Sequence, residues 1–379
     1  MTSPAPHHVV IAGGGVAALE ALLALRELAE DRVEIDIVAP NADFVYRPLE
    51  FQALFADEPV KRFDLRRIVI DQGARLSHDR LESVRCDEQL AVTAGGAKLP
   101  YDSLLVATGA RLRRGIPDAI TVAAPGFRQD FLRLVEDLES GIAKSVAFAA
   151  PGGMGWLLPL YELALMTADR LAERGAKPTF TVVTPEERPL EIFGSEISDH
   201  VEGLLEARGI ELLTCRWPVR AGNAGLMTAP KEVVEADRVV ALPSMSGPAV
   251  PGLPQNPGGF IPTDTYGHVV GVDNVYAAGD GSAFPIKQGG LAAQEAAAVA
   301  SAIAHEAGAP VEPEPFRPVL RGLLLTGGEP SYLRADLSHA GAPSETANRP
   351  LWWPAAKVAA RSLAPYLAAR PGLELRTTT

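Results

Sequence analysis

The sequence predicts an α/β fold with two parallel sheets, each covered by helices, and a short C-terminal extension. Three observations support this prediction. An apolar strand, a glycine-rich turn and a helical run follow one another over residues 9–30. A similar succession begins near Ser145, and a further apolar strand at residues 272–277 ends in another glycine turn. Strands that alternate with helices in this way are typical of parallel sheets with helices on their faces.

The first glycine turn has the spacing of a dinucleotide-binding site. Gly13, Gly15 and Ala18 follow the pattern G-x-G-x-x-A. Gly13 permits a tight turn, Gly15 lets the backbone approach a pyrophosphate, and the small Ala18 lets the helix pack closely on the strand. The pyrophosphate would lie at the helix N-terminus, where free N–H groups and the helix dipole favour an anion. We therefore predict a nucleotide cofactor and a Rossmann-like fold for this unit.

The remaining elements follow in chain order. We predict a strand at 32–38, a loop at 39–49, short strands at 74–106, a second strand–turn–helix unit at 146–174, a strand at 179–183, a helix at 197–208 and an alanine-rich helix at 291–305. A Pro/Gly-rich crossing at 243–259 marks a boundary. The predicted organisation is one dinucleotide-binding domain at 1–125 and 255–325, a second Rossmann-like domain at 126–254, and the C-terminal extension at 326–379.

Composition excludes several classes of function. The 379 residues are 47% hydrophobic, enough for large cores, and the formal net charge of −12 argues against nucleic acid as a partner. The two cysteines, Cys86 and Cys215, form no CxxC pair and are predicted to be small buried hydrophobes. The chain shows no metal-ligand spacing, no signal peptide and no apolar run long enough to span a bilayer. Sparse cysteine fits a cytoplasmic location.

Two further signatures accompany the first turn. The strand ending at Val106 continues into Ala107-Thr108-Gly109, and the strand at 272–277 continues into Ala278-Gly279-Asp280. Together with the first turn they resemble the two-dinucleotide-domain flavoproteins of the pyridine nucleotide–disulfide oxidoreductase superfamily. The segment Tyr46-Arg47-Pro48-Leu49 resembles the branch that holds type-two NADH:quinone and sulfide:quinone oxidoreductases. The resemblance covers residues 9–305 and implies FAD as the cofactor.

The resemblance also implies which residues bind FAD. Gly13, Gly15 and Ala18 would flank the pyrophosphate, Thr108 and Gly109 would lie close to the cofactor, and Asp280, after Gly279, would accept a hydrogen bond from the ribityl chain. The helix near Leu291 would point its N-terminus at the flavin pyrimidine edge. Lys287 would either favour negative charge on the reduced flavin or be a solvated loop lysine. The predicted cofactor-binding set also includes Asn41, Arg47, Gln288 and Gly289.

The sequence departs from the family pattern at both ribose-binding positions. Ala39 stands where an acid would hold the adenine ribose, with Asn41 as a substitute hydrogen-bonding group. In the second unit the turn has only Gly152 and Gly155 of the fingerprint, and Pro159 delays the helix. The ribose acid is missing there too, and Arg188 would receive a 2′-phosphate or be a surface arginine. Two interpretations of this unit remain open. In one it binds NAD(P)H, and in the other it retains the fold without a nucleotide site.

The cysteine pattern limits the chemistry that the resemblance implies. No cysteine follows Asp280 or lies near Gly152, so persulfide chemistry is not expected. The resemblance implies an FAD-dependent oxidoreductase that passes electrons through flavin N5 from a reduced donor, with NAD(P)H as one candidate, to a quinone or a small redox partner. The alternative is an FAD-binding electron-transfer subunit or sensor with a degenerate nicotinamide site.

The C-terminal extension allows two interpretations. Trp352 and Trp353 precede Pro354, and Lys357 and Arg361 fall four residues apart, as on one face of a helix. One interpretation is an interfacial helix that brings the protein to the inner face of a membrane as a peripheral protein. The other is a helix that packs on the protein itself or forms a homodimer.

Overall fold

The computed structural model describes residues 5–56, 58–339 and 343–375. Eight α-helices lie within these ranges. They are α1 (Val16–Ala29), α2 (Glu50–Ala56), α3 (Leu65–Asp71), α4 (Phe127–Glu139), α5 (Leu158–Glu173), α6 (Ser195–Glu206), α7 (Gly289–Glu306) and α8 (Leu363–Ala368).

The same ranges hold 23 strands, most of them short. They are β1 (His7–Ala12), β2 (Val33–Val38), β3 (Asp43–Val45), β4 (Arg62–Asp64), β5 (Arg75–Ser77), β6 (Leu81–Arg85), β7 (Leu90–Thr93), β8 (Lys98–Pro100), β9 (Ser103–Val106), β10 (Arg111–Arg113), β11 (Ile120–Thr121), β12 (Ser145–Ala149), β13 (Thr179–Val183), β14 (Ile210–Leu213), β15 (Trp217–Gly222), β16 (Gly225–Ala229), β17 (Glu232–Val234), β18 (Arg238–Ala241), β19 (Ser244–Ser246), β20 (Val275–Ala277), β21 (Val319–Leu324), β22 (Ser331–Asp336) and β23 (Ser344–Ala347).

The first large sheet has five parallel strands in the order β20–β9–β1–β2–β5. The core on one face joins Leu22 of α1 and Val299 of α7 to the inner side chains of the strands. The other face places Val10 and Leu104 against Val84 of β6. Because the strands are parallel, their carboxyl ends meet at one edge. The three sequence signatures follow β1, β9 and β20, so this edge collects loops that are distant in the chain.

The second large sheet is also parallel, in the order β11–β18–β12–β13–β14. Phe131 of α4 and Leu163 of α5 pack with Phe148 on one face, and Leu226 of β16 packs with Ala147 on the other. The two connections between the sheets run side by side, because β10 pairs antiparallel with β19. This is the predicted α/β architecture.

The two glycine turns are followed by helices that begin at different distances. α1 begins directly after Gly15, whereas α5 begins at Leu158, beyond Gly155, with Pro159 in its first turn. The prediction of a delayed second helix is confirmed. The delay moves the free N–H groups of α5 away from the turn itself.

Both interpretations of the C-terminal extension place Lys357 and Arg361 on one helix, and this placement is wrong. Residues 355–362 are not helical, and α8 begins only at Leu363. Lys357 is buried, forms an ion pair with Glu162 of α5, and donates to the Leu323 carbonyl at 2.6 Å. A buried amine needs such partners, and their positions cannot be read from the spacing of charges. Within the ranges described above, no helix combines the length and apolar character needed to cross a membrane.

Candidate functional site

The first glycine turn lies at the carboxyl end of β1 and leaves open space above it. Gly13 has φ +140°, and a Cβ there would overlap the Ala107 carbonyl oxygen. A Cβ at Gly15 would meet nothing within 4 Å. Gly15 is the N-cap residue of α1 and has no side chain to bind the first N–H groups, and no side chain in the described part of the chain accepts from them. Free N–H groups beside an open space are what a pyrophosphate requires.

The three sequence signatures converge at this edge of the first sheet. A Cβ at Gly281 would lie 3.2 Å from the Gly109 carbonyl oxygen. A Cβ at Gly279 would lie 3.1 Å from the Cβ of Ala17, in the first turn of α1. The loops after β1, β9 and β20 therefore touch one another, and the predicted residues Gly13, Gly15, Thr108, Gly109, Gly279 and Asp280 lie in those loops.

Asp280 carries a carboxylate that the protein does not use. It is half-buried and accepts no hydrogen bond from any residue in the described part of the chain. Burial raises the pKa of Asp280, and the nearby Lys287 partly offsets this rise. A carboxylate with free acceptor positions beside the first turn fits a ligand that bears hydroxyl groups, as the ribityl chain of FAD does. The residues present therefore fit FAD at this edge.

Lys287 and Glu295 form hydrogen bonds with the loop that follows β20 at this edge. Lys287 donates to the Ser282 carbonyl at 2.6 Å and to the Phe284 carbonyl at 2.5 Å, so it is not a solvated loop lysine. Burial lowers its pKa. Glu295 of α7 accepts from the Gly279 N–H at 2.6 Å and from the Ser282 hydroxyl at 2.8 Å. Burial raises the pKa of Glu295 to about 7.

Glu295 was missed by the sequence analysis. Its signal was the acid within the apolar run Leu291-Ala292-Ala293-Gln294-Glu295-Ala296. An acid in such a run is expected to be buried with partners. Two acids that hold the C-terminal extension were missed for the same reason. Glu20 accepts from the N–H groups of Ser362 and Leu363, and Glu162 pairs with Lys357.

One N–H group at the N-terminus of α7 is capped by a side chain of the protein. The side-chain oxygen of Gln288 accepts from the Leu291 N–H at 2.8 Å, and its amide nitrogen donates to the Arg321 carbonyl at 3.0 Å. The side chain of Gln288 is thus used to cap the helix, and only its backbone is left for a cofactor. A Cβ at Gly289 would lie 3.0 Å from Val358 of the C-terminal extension, so the extension lies against this helix end.

On the predicted ribose side of the site, the acid in β2 is already paired. Ala39 is buried at the end of β2, and Asn41 beyond it is exposed. Asp36 is already paired with Arg75 at 2.6 Å and with His8 at 2.8 Å.

Arg47 is exposed, whereas the neighbouring Tyr46 hydroxyl accepts from the Val358 N–H at 2.9 Å. Asn41 and Arg47 are therefore the predicted residues with side chains available to a ligand on this side.

The second glycine turn is filled by protein. A Cβ at Gly152 would lie 3.3 Å from the ring of Trp217, and a Cβ at Gly155 would lie 2.5 Å from the Pro285 carbonyl oxygen. Pro285 belongs to the loop before α7. Gly152, which would let the backbone approach a pyrophosphate in a working fingerprint, lies against a tryptophan ring, and Gly155, at the third position of the fingerprint, lies against a loop of the other unit.

The charged residues of the second unit are also engaged. Arg188 pairs with Glu202 at 2.8 Å and with Asp199 at 2.5 Å, so both acids compete with a 2′-phosphate for it. Glu186, beyond β13, accepts from the Tyr161 hydroxyl at 2.5 Å and the Thr184 hydroxyl at 3.0 Å. Burial raises the pKa of Glu186 to about 7.

The cysteines do not form a redox pair. Cys86 is half-buried and Cys215 is exposed, so the prediction that both are buried is wrong. Cys215 lies in a bend between β14 and β15, with φ +50°. No group of three or more metal-ligating side chains occurs in residues 5–56, 58–339 and 343–375.

A groove of about 1090 Å³ lies apart from the glycine turns. It runs along α1 and α7, and its wall includes Arg321, Phe316 and Trp352. Trp353 at its rim is 90% exposed. No residue of either glycine turn lines this groove.

Comparison with known families gives one match that covers most of the chain. The family described as pyridine nucleotide-disulphide oxidoreductase matches residues 7–301. The sulfide-quinone reductase of Aquifex aeolicus (strain VF5) is 27% identical over 191 residues, which are 47% of this chain and 43% of that protein. The aligned part therefore spans less than half of the length of that relative.

Solved structures show the same fold. The sulfide:quinone oxidoreductase of the hyperthermophilic bacterium Aquifex aeolicus has a TM-score of 0.80 at 20% identity, over 90% of this chain and 87% of that chain. A ferredoxin reductase from Rhodopseudomonas palustris has a TM-score of 0.66 at 19% identity, over 87% and 82% of the two chains. A covalent putidaredoxin reductase–putidaredoxin complex has a TM-score of 0.63 at 17% identity, over 88% and 82%.

Proposed function

This chain belongs to the pyridine nucleotide-disulphide oxidoreductase family, and we propose that it is a flavin-dependent oxidoreductase that passes electrons through FAD from a reduced donor to a quinone or a small redox partner. When bound, FAD supplies the redox chemistry at N5 of its ring. The chain's own residues bind the cofactor, orient it and set the charge around it.

The observation that carries this proposal is the open edge of the first sheet. Free N–H groups of α1 face the space above Gly15, and Asp280 offers unused carboxylate oxygens at the same edge. In this proposal α1 binds the pyrophosphate and Asp280 orients the ribityl hydroxyls. Glu295 holds the Gly279 backbone in place through its hydrogen bond, and the half-buried amine of Lys287 lies in the loop before α7, near Asp280.

Two observations guide the choice of electron donor and acceptor. The filled turn at Gly152 and Gly155 favours a donor other than NADH or NADPH. The separated cysteines favour direct electron exchange with the cofactor over a thiol relay. Related proteins act on a quinone or assemble with putidaredoxin, which supports a quinone or a small carrier protein as partners here. The alternative is an FAD-binding subunit or sensor without turnover, which the same filled turn favours.

Anaerobic stopped-flow absorbance at the flavin band tests the proposal. We expect the purified protein to retain FAD, to bleach with dithionite, to bleach slowly or not at all with NADH or NADPH, and to be reoxidised by a soluble quinone analogue. Fast bleaching by either nicotinamide would reject our choice of donor and leave the oxidoreductase intact. A protein without flavin would reject the proposal itself. A flavin that no quinone or carrier reoxidises would favour the sensor.

Four further statements about this protein remain predictions. They are the domain limits at 125, 254 and 325, the cytoplasmic location, peripheral contact with a membrane, and a homodimer. The exposed Trp353 supports contact of the C-terminal extension with another surface. The buried pair of Lys357 and Glu162 supports packing of the same extension on the protein itself.

A further inference from the structure

We propose that an exposed surface beside the cofactor edge docks an acidic electron-carrier protein, which delivers electrons to the flavin; this inference rests on the proposed function. We name it the arginine–tryptophan face. It consists of Arg111, Leu112, Arg113, Arg114, Trp217, Val219, Met227 and Val233, all of them exposed. The positive charge, the apolar centre and the position of this face each favour the binding of such a partner.

The charge of the face is positive although the chain is acidic. Three arginines occupy four consecutive positions, 111–114, in a chain with a net charge of −12. Arg113 donates to the Ser246 hydroxyl at 3.0 Å, and none of the three forms an ion pair with any part of the chain that the structure describes. Two of the nearby acids are already engaged, since Asp118 pairs with Arg220 and Glu232 pairs with Arg216. The positive charge of the three arginines is therefore free to attract carboxylates, which arginine binds with two parallel hydrogen bonds.

The centre of the face is apolar. Trp217, Met227 and Val233 are 46%, 43% and 50% exposed. They share one face of the β15–β17 sheet, because Met227 pairs with Val233 and Trp217 pairs with Ala229, which lies two residues after Met227. The opposite face holds the buried Leu226 and Val234. Contiguous exposed apolar side chains mark interaction sites, and Trp, Met and Arg are enriched at them.

The arginines and the apolar centre form one continuous surface. A Cβ at Gly115, directly after Arg114, would lie 2.6 Å from the Pro151 side chain. The next residue, Gly152, lies under the ring of Trp217. The N–H of Ala221 in β15 donates to the Pro117 carbonyl at 3.0 Å. Pro117 and Asp118 thus contact β15, while Arg111–Arg113 pair with β19. The filled glycine turn lies between Arg114 and Trp217 as the floor of the face.

The face also lies close to the predicted cofactor edge. Arg111 follows Gly109 by two residues, and Gly109 touches Gly281 at that edge. An extended chain advances at most about 3.6 Å per residue, so the Cα atoms of Arg111 and Gly109 are within about 7 Å of each other. A carrier docked on Arg111 would bring its redox centre near the flavin without passing through the second sheet.

The electron balance is simple. Two molecules of a one-electron carrier are oxidised for each quinone reduced, and the quinone takes up two protons from water to give the quinol. The arginine charge accelerates encounter with an acidic partner, and salt weakens this attraction. An acidic carrier is favoured over a basic one for this reason.

Binding measurements on the FAD-loaded protein test the inference. The probes are a plant-type ferredoxin, which is acidic, and a basic cytochrome c. We expect the Kd for ferredoxin to rise about tenfold or more between about 20 mM and 200 mM NaCl. We expect a similar rise in the variant Arg111→Ala/Arg113→Ala/Arg114→Ala. The matched control removes three exposed basic residues elsewhere, Arg66→Ala/Arg133→Ala/Lys177→Ala, and keeps the Kd near that of the unmodified protein.

A second variant tests the apolar centre without removing an arginine. Met227→Glu places an acid among the exposed apolar side chains, so we expect the Kd for ferredoxin to rise about tenfold. Flavin content and thermal unfolding must match the unmodified protein. Equal Kd values for the two triple variants, no ferredoxin binding at low salt, or tighter binding of cytochrome c would each overturn the docking site. The proposed function is retained in these cases if the protein keeps a flavin that dithionite bleaches. Loss of flavin from the unmodified protein rejects that function.

Discussion

The glycine turns at Gly13–Gly15 and Gly152–Gly155 follow the central strands of the two parallel sheets, and their neighbours differ. Above Gly15 there is open space, and Asp280 at the same edge keeps free carboxylate oxygens. Around Gly152 and Gly155 the corresponding space is taken by Trp217 and by the loop at Pro285. Glycine at such a position removes a side chain, but the neighbours decide whether a ligand or the protein fills the space. One fold thus carries one turn open to a ligand and one turn used for packing.

The largest expected effect tests the first turn. Gly13→Ala combines φ +140° with overlap on the Ala107 carbonyl oxygen, so we expect loss of FAD and a fall of several kcal/mol in the free energy of unfolding. Urea unfolding and flavin absorbance measure the two effects. The matched control is Gly73→Ala, where φ is +62° but nothing lies within 4 Å. It is expected to cost about 1 kcal/mol and to leave FAD bound. Equal costs for both variants would contradict the close approach at Ala107.

The next effect concerns the buried acid beneath the first turn. In the folded protein the pKa of Glu295 is about 7, against an ordinary value of 4.5. The folded state keeps a proton that the unfolded state releases between these values, so the free energy of unfolding falls as pH rises through this window, by up to about 3 kcal/mol. Urea unfolding across the window is expected to show a flatter pH dependence in Glu295→Gln.

A matched variant in the second unit is Glu186→Gln, because burial raises that pKa to about 7 as well. We expect it to flatten the pH dependence too, but to leave the Kd for FAD unchanged. A change in FAD affinity in this variant would remove the distinction between the two units.

A smaller effect separates packing from ligand binding in the second turn. Gly155→Ala brings a Cβ to 2.5 Å from the Pro285 carbonyl oxygen, and backbone cannot move as easily as a side-chain tip. We expect a loss of about 1–3 kcal/mol in the free energy of unfolding, with little change in flavin content. Thermal and urea unfolding of FAD-loaded samples measure this. An unchanged stability would show that the contact between the loops is loose.

At Gly15 we expect weaker FAD binding with little change in the free energy of unfolding. Its backbone is extended, with φ −96°, and a Cβ there meets nothing in the protein. In Gly15→Ala the free energy of unfolding of the apoprotein is expected to change by no more than about 0.5 kcal/mol, while the Kd for FAD rises about tenfold or more. Isothermal titration of the apoprotein with FAD measures the Kd. Unchanged affinity would mean that the cofactor does not approach this turn.

The smallest effect is expected at Arg188. Its guanidinium is held by Asp199 and Glu202, so Arg188→Ala is expected to leave the binding of NADPH and the slow bleaching by NADPH unchanged. Fluorescence titration and stopped-flow absorbance check both quantities. A marked weakening of NADPH binding would restore Arg188 as a 2′-phosphate ligand and reopen the second site.

The sequence analysis was most successful where rules act within a few residues. The spacing of Gly13, Gly15 and Ala18 predicted a turn and a helix that the structure confirms, and Pro159 predicted the late start of α5. The prediction failed for the C-terminal extension because four-residue spacing suits a helix, whereas Lys357 is held by Glu162 and the Leu323 carbonyl, which are distant in the chain. Glu295 was missed because the partners of a buried acid, here Gly279 and Ser282, are not visible in its own helix.

By itself the sequence determined the α/β fold, the two strand–turn–helix units, the first glycine turn and the absence of a CxxC pair. These depend on backbone conformation and on the alternation of apolar segments, which are local properties. Only the tertiary structure decided that Trp217 and Pro285 fill the second turn, that Gln288 caps α7, and that Arg111 to Arg114 meet an apolar sheet. These features depend on which distant segments come into contact when the sheets pack, and no local pattern encodes that contact.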